Sequence, residues 1–274
     1  MSYDILVLGS GPAGLAAAVA VRGRGKSVLV IGNRWQDSPL ARAERVDNYL
    51  GLPASSGKEL LAQFYDHAVK AGADFVTGRA VSMMVYGGVF ATVGSQVYDG
   101  KALILAPGVQ RQAKYPGEET YLGRGVSYCA TCDGMLYRGK PVAVVGYTDT
   151  ARQEAEFLQK IGCSVTYFDR PKQCEIRGDG RVESVTCDGR TIPAEGVFIL
   201  RPTMAPTELF PGLAVEQGYV TVDRRMATNL PGLFAAGDCT GGPLQVSKAA
   251  GDGLIAGQSA AAWAAAQERR EKQS

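Results

Sequence analysis

The chain opens on a continuous apolar run, Ile5-Leu6-Val7-Leu8, the pattern of a strand buried on both faces of a parallel sheet. Gly9-Ser10-Gly11-Pro12-Ala13-Gly14 follows, then a helical stretch to about Gly23 and a second apolar run, Ser27–Ile31. This strand, glycine-rich turn, helix and strand make a dinucleotide fingerprint in its required context. The first glycine makes the turn, the second admits a pyrophosphate to the backbone, and the third lets helix pack on strand. The helix N-terminus then faces the phosphates. The second strand ends Ile31-Gly32-Asn33, with no acid for the ribose hydroxyls, which leaves Asn33 as a weaker partner for ribose or adenine.

Further along, Glu59–Gly72 has the spacing of an amphipathic helix, Val81–Val97 of a small β meander broken at Gly87-Gly88, and Ala102–Leu105 of a strand ending in Ala106-Pro107-Gly108. The polar, turn-rich Lys114–Glu119 stretch predicts a linker. Pro141–Val145, a turn from Gly146 to Ala151, a helix Arg152–Ile161 and a strand Ser164–Phe168 then echo the first unit. The chemistry is missing from this echo. Thr148 replaces the second glycine, Tyr147 adds bulk, and Asp169-Arg170-Pro171 offers no arginine cluster for a 2′-phosphate. Asp169 could still meet an NADH ribose, but the phosphate turn is spoiled, and the unit reads as a vestigial scaffold. Leu233–Asp238 closes a short buried strand on Gly-Asp, a final helix runs from about Gln245 to Gln267, and the charged tail from Glu268 is expected to fray.

The most pointed chemistry lies between these units, at Cys129-Ala130-Thr131-Cys132-Asp133. Two thiols so spaced can close a small ring, and each lowers the pKa of the other toward roughly 7 from about 8.5. Asp133 can exchange a proton with a departing thiolate, or simply cap a helix. A zinc half-site needs a second Cys or His pair. Here Cys163, Cys174, Cys187 and Cys239 are scattered singly and the only histidine is His67, so no metal site is expected. His67, on the amphipathic helix with no nucleophile implied nearby, is expected to be a surface or half-buried residue rather than a catalyst.

Composition narrows the classes. A net charge of +2 argues against a nucleic-acid protein, and the Ala256–Ala266 stretch is too short and too weakly apolar to span a bilayer. Residues 1–112 with 221–274 sum to +4 and residues 113–220 to −2, which is ordinary solvated surface. The N-terminal strand pattern has no leader character, and a cytoplasmic protein with mostly reduced thiols and one working C-x-x-C is expected.

Taken together, Gly9–Gly14, Asp47-Asn48-Tyr49-Leu50-Gly51, Ala106–Gly108, Cys129–Gly134, Leu233–Asp238 and Gln245 with its helix resemble the low-molecular-weight thioredoxin reductase family over nearly the whole chain. The resemblance implies an α/β fold of two dinucleotide-binding-like (Rossmann-type, three-layer) domains, the second inserted in the first and reduced in size. Residues 1–112 and 221–274 would form an FAD-binding domain, and 113–220 the redox-disulfide insert. It places FAD against Gly9, Ser10, Gly11, Pro12, Ala13, Gly14, Gly32, Asn33, Leu40, Asn48 and Val81, and also Ala106, Gly108, Gly237, Asp238, Gln245 and Val246. It makes Cys132 the sulfur beside the flavin, Cys129 the thiol that attacks thioredoxin, and Asp133 the acid–base. Thioredoxin is the implied substrate and a homodimer the implied assembly.

The departures sort the branch. The spoiled turn, the missing arginines with Glu175 following, the short stretch between Cys174 and Val197, and Leu244 in place of an arginine resemble the ferredoxin-dependent flavin thioredoxin reductases. A ferredoxin at about −400 mV lies about 130 mV below thioredoxin, roughly 6 kcal/mol downhill for two electrons. An NAD(P)H-dependent reductase and an FAD-dependent dithiol oxidase of the same fold are the competing enzyme readings, and a flavin-bound sensor without turnover is the non-enzymatic one. A disulfide that meets a flavin and then a protein predicts a swing of the insert about Lys114–Glu119 and Gln217–Asp223. An acidic ferredoxin predicts docking cations among Arg42, Arg45 and Lys248.

Overall fold

The computed structural model describes residues 2–272 apart from 79, 86–88, 94–95, 110–113, 148–150 and 202–205, and without the side chains of 81–85, 90 and 208. The chain folds as two compact units, Met1–Gln110 with Ala205–Ser274, and Arg111–Met204.

The outer unit starts with β1 (Ser2–Leu8), α1 (Pro12–Arg22), β2 (Val28–Gly32), α2 (Gly57–Lys70) and β3 (Asp74–Thr77). A meander β4 (Ala80–Val85), β5 (Val89–Val93) and β6 (Gln96–Leu105) follows. The glycine break expected at Gly87-Gly88 lies outside the described residues. The run expected to be a separate strand at Ala102–Leu105 is the second half of the ten-residue β6. The first half of β6 pairs antiparallel with β5, and most of the strand pairs parallel with β1. One strand can serve both because its partners lie on opposite edges.

The inner unit holds β7 (Val126–Ser127), α3 (Ala130–Asp133), β8 (Pro141–Gly146), α4 (Ala151–Lys160), β9 (Ser164–Asp169), β10 (Cys174–Arg177), β11 (Ser184–Cys187), β12 (Arg190–Pro193) and β13 (Gly196–Leu200). Its parallel sheet has the order β7-β13-β8-β9, and β10-β11-β12 form a separate antiparallel sheet. The chain returns to the outer unit with α5 (Pro206–Leu209), the β14 (Val215–Glu216) and β15 (Tyr219–Val220) pair, β16 (Leu233–Ala235) and α6 (Val246–Glu271). β16 adds parallel to β6, so the large sheet reads β3-β2-β1-β6-β5-β4 with β16 against β6.

α1 and α6 pack because both present small residues. Ala13, Ala17 and Ala18 on one, and Ala256, Ala260 and Ala264 on the other, are buried in one core. A Cβ at Gly253 would stand 2.1 Å from the carbonyl oxygen of Ala13, so the backbones meet at a distance only glycine allows. The alanine content of α6 therefore serves close packing, and no helix among the described residues is long and apolar enough to cross a membrane.

Four expectations are corrected by packing. The tail does not fray at Glu268, because that carboxylate accepts from Lys26 and Lys101, each at 2.6 Å, and the helix continues to Glu271. The stretch Lys114–Glu119 is not a free linker: Glu118 is fully buried and bonded inside the inner unit. Residues 205–220, expected in the insert, fold with the outer unit, where Ala214 N and the Gly212 carbonyl bond the side chain of Asn229. Gln217–Asp223 lies within the same unit, tied by Thr221 N donating to Ala214 O, so neither span links the two.

Candidate active site

The cysteine motif stands at the end of β7, on the short helix α3. Cys129 and Cys132 are joined as a disulfide with their Cα atoms 5.4 Å apart. Their environments differ: Cys129 is buried, 5% exposed, and Cys132 faces outward. The helix cap is Cys129, whose Sγ accepts from the amide of Cys132 at 3.1 Å. Asp133, weighed above as a cap, is the last residue of α3, and its carboxylate is free of any capping bond.

That carboxylate is held instead by a residue the sequence reading missed. The buried Ser127 hydroxyl donates to Asp133 Oδ2 at 2.7 Å, and its oxygen accepts from Cys129 N at 3.1 Å. One side chain thus ties both ends of the motif. Behind it, Tyr128 donates to Glu118 Oε1 at 2.9 Å, and Arg201 grips both Glu118 oxygens, Nη2 at 2.7 Å from Oε2. Burial works to raise the Glu118 pKa, yet the Arg201 guanidinium and the Tyr115 amide hold it below the usual carboxylate range. No spacing rule pairs residues 83 apart, so only the fold reveals this anchor.

The remaining thiols are separate. Burial pushes Cys163 up and drives Cys239 up to about 12, so neither is a nucleophile. Cys174 and Cys187 are not single reduced thiols as expected but a second disulfide. β10 and β11 bring them into register as direct cross-strand partners.

In the outer unit the glycine-rich turn behaves as its spacing predicts. A Cβ at Gly9 would lie 2.1 Å from the carbonyl oxygen of Ala106, and one at Gly14 would lie 1.9 Å from that of Gly9. A Cβ at Gly11 meets nothing within 4 Å, which leaves open space at the start of α1, the room a pyrophosphate needs. Pro12 opens the helix, and Ala13 is buried behind it. The Ser10 hydroxyl donates to the Asn33 carbonyl at 2.6 Å, so the turn and the end of β2 are joined.

Ser10, Gly32 and Asn33 share a cavity of about 290 Å³ with Arg34, Trp35, Gln36, Tyr65, Phe75 and Thr77. The Tyr65 and Phe75 ring centroids are 4.6 Å apart and those of Trp35 and Tyr65 6.1 Å. An aromatic wall with polar groups at its mouth suits the adenosine end of a dinucleotide. Leu40 begins a short 3-10 turn that packs on the same core. Asn48 is exposed, and its carbonyl accepts from Ser247 beside Val246, 199 residues away in the chain. Ala106 is buried, and Gly108 adopts φ +74° facing open space. Gly237 and Asp238 form a 3-10 turn whose Gly237 amide donates to Asp252 at 3.1 Å, and the exposed Gln245 caps α6. Val81 lies on β4, and its side chain is outside those described.

Of the expected docking cations, Lys248 is committed inward. Its ammonium donates to Gly237 O, Thr240 Oγ1 and Gly241 O, each at 2.8 Å, and pairs with Asp252. Arg42 and Arg45 are exposed, Arg45 paired with Asp47.

In the echo unit, Thr148 lies outside the described residues. The neighbouring Tyr147 is half-buried against the core, and its hydroxyl donates to Pro171 O at 2.8 Å, across the end of β9. Asp169, the candidate ribose acid, accepts from Arg152 at 3.0 Å, and that guanidinium stacks over Tyr167. Glu175 is bound in two bonds to Arg177.

A glycine-turn Rossmann unit with an inserted disulfide unit defines a flavin-linked disulfide oxidoreductase. The pyridine nucleotide-disulphide oxidoreductase family model matches residues 3–175 and 170–253. Among curated proteins, thioredoxin reductases of Listeria innocua and Bacillus subtilis are 34% and 33% identical, covering 94% of this chain and 92% and 93% of theirs. The chain belongs to the thioredoxin reductase family, whose cofactor is FAD. The first alignment runs over 296 positions against a chain of 274, so the relative carries residues this chain lacks. In three dimensions the chain is similar to a ferredoxin-flavin thioredoxin reductase from Clostridium acetobutylicum, TM-score 0.90 at 38% identity over 95% of this chain and 97% of that one. With the Lactococcus lactis thioredoxin reductase, the TM-score is 0.60 at 28% identity over 96% and 99%.

Proposed function

We propose that this thioredoxin reductase draws electrons from reduced ferredoxin rather than a nicotinamide, and passes them through FAD and Cys129–Cys132 to thioredoxin. The observation that carries this reading is Tyr147. It is the bulky residue that leads in sequence into the turn where a nicotinamide dinucleotide's pyrophosphate would rest, and it is held half-buried against the core with its hydroxyl bonded to Pro171 O. Arg152 engages the one acid placed for a ribose. The higher structural similarity to the ferredoxin-flavin enzyme, at comparable coverage, supports the same donor.

Gly11, Ser10 and Asn33 would hold the pyrophosphate and adenosine end of FAD, with Gly237, Asp238 and Gln245 toward the flavin. FAD supplies the capacity to accept single electrons and deliver a pair to a disulfide. The chain's own residues do the rest. Reduction opens the disulfide, Cys129 as thiolate attacks the thioredoxin disulfide, and Cys132 then attacks Cys129 to release reduced thioredoxin. Asp133, fixed by Ser127 and next in the chain to Cys132, serves the leaving thiolates as proton donor. Cys129 is the covered sulfur of the pair, so it must be uncovered before it meets a protein.

The test is anaerobic bleaching of the FAD-loaded protein. Reduced ferredoxin is expected to bleach the flavin within seconds, and micromolar NADPH or NADH to leave it yellow. Rapid bleaching by either nicotinamide overturns the donor assignment and leaves the reductase assignment standing.

A further inference from the structure

The strand that delivers the redox disulfide is short. β7 is an edge strand of two residues, with Val126 opposite Val197 and Ser127 opposite Phe198 of β13. Beyond it the chain crosses the end of the inner sheet. Tyr128 is buried in the core on one face with Val197 and Ile199, and Ala130 in the core on the other with Phe198 and Leu200. Cys129 stands between these two residues, so its place depends on what holds them.

Tyr128 is held at its hydroxyl, which donates to Glu118 Oε1 at 2.9 Å. Arg201, just past the end of β13, donates to both oxygens of that carboxylate, and the Tyr115 amide donates to Oε2 at 2.9 Å. These bonds fill the roughly four lone-pair positions that an ionised carboxylate offers. Glu118 is fully buried and Arg201 is buried beside it. A buried polar network with every position taken rigidifies what it holds. Here it holds the residue that precedes Cys129, from two stretches of the inner unit 83 residues apart.

We propose that Tyr128 is a positioning residue: clamped by Glu118 and Arg201, it keeps Cys129 where it can close a ring with Cys132 after the disulfide has been reduced. An open dithiol is free to drift apart, and every lost orientation lowers the effective concentration of one sulfur at the other. A high effective concentration favours disulfide over dithiol, so the pair is the stronger reductant, and it speeds the last step of turnover. In that step the Cys132 thiolate attacks Sγ of Cys129 in its mixed disulfide with thioredoxin. The Cys129–Cys132 bond forms, the bond to thioredoxin breaks, and its electron pair leaves on the thioredoxin sulfur, which is protonated by Asp133. Over the two exchanges the protein pair passes two electrons and two protons to thioredoxin. That step rests on the thiol roles proposed above; the stability of the ring does not.

The test uses the FAD-loaded full chain and Tyr128→Phe, which keeps the ring, removes the hydroxyl and leaves Glu118 paired with Arg201, so the fold is retained. Tyr121→Phe is the control. Its hydroxyl donates to Gly178 O at 2.6 Å, a bond made from the same core to a carbonyl outside the motif. Each protein is equilibrated in dithiothreitol redox buffers, alkylated and mapped by peptide mass, which reads Cys129–Cys132 apart from Cys174–Cys187. Tyr128→Phe is expected to make Cys129–Cys132 about tenfold easier to reduce, the scale of one hydrogen bond to a charged group, and so to raise its potential by about 30 mV. Cys174–Cys187 is expected to stay unmoved, and Tyr121→Phe to move neither pair. In rapid-quench assays the mixed disulfide with thioredoxin is expected to decay about tenfold more slowly in Tyr128→Phe. An unshifted Cys129–Cys132 potential in Tyr128→Phe, or an equal shift in both disulfides or in both variants, overturns the inference. A shifted potential with unchanged decay upholds the positioning role and overturns the thiol roles.

Discussion

The hydroxyl of Ser127 donates to Asp133 Oδ2 at 2.7 Å while accepting from the amide of Cys129, six and two residues away in the chain. The bond fixes the position of the carboxylate within the disulfide motif. Asp133→Asn is expected to lower the rate of thioredoxin reduction about a hundredfold, the usual scale for a lost acid–base group. Ser127→Ala is expected to lose about tenfold, and Ser127→Thr to recover most of it. Steady-state turnover at constant flavin content checks the series. An unchanged rate in Asp133→Asn would remove the residue from the proton path.

The glycines of the first turn separate cofactor binding from folding. A side chain at Gly11 meets no protein atom, so Gly11→Val is expected to yield a folded protein that has lost FAD. Gly14→Ala puts a Cβ 1.9 Å from a backbone oxygen and is expected to cost several kcal/mol, on the scale of severe overpacking. Flavin absorbance against circular dichroism distinguishes the two. Retention of stoichiometric FAD in Gly11→Val would place the pyrophosphate elsewhere.

Thiol roles are separable by trapping. With Cys129 as the proposed attacking thiol and Cys132 as the resolving one, Cys132→Ser is expected to accumulate a stable mixed disulfide between Cys129 and thioredoxin. Cys129→Ser is expected to accumulate none. Non-reducing electrophoresis with mass mapping reads the result, and a conjugate through Cys132 reverses the assignment.

Acid weakens the fold through carboxylates that burial alone would favour protonating. Burial pushes Asp4 up, but the Ser27 amide and the Lys101 ammonium outweigh it and hold Asp4 at about 2. Its folded pKa is therefore below the unfolded value of about 4, so it contributes stability above about pH 4, lost as pH falls from there toward about 2. Glu118, also depressed, acts in the same direction. Denaturant midpoints measured from about pH 6 to about pH 2 are expected to fall most steeply below about pH 4, and less steeply in Asp4→Asn. Glu118→Ala is expected to destabilise by about 3–5 kcal/mol, because it strands the Arg201 charge in the interior.

The amino-acid sequence by itself determined whatever depends on neighbours in the chain. Apolar runs flanking Gly9–Gly14 announced a parallel strand and a phosphate turn, because glycine spacing and strand burial are local constraints. Cys129 and Cys132 announced a disulfide because three residues of separation suffice to close it. What the fold alone decided involves partners far apart. Cys174 and Cys187 looked like isolated thiols until antiparallel register set them face to face. Glu118 looked like a linker carboxylate until the chain beyond β13 delivered Arg201 to it, and Glu268 like a fraying tail until Lys26 and Lys101 met it from the sheet side. Lys248 looked like a free surface cation, yet the turn at Gly237–Thr240 presents it with carbonyl oxygens to satisfy. A charge is placed by what the chain brings beside it, and loop closure over tens of residues leaves no periodic trace in the order of amino acids.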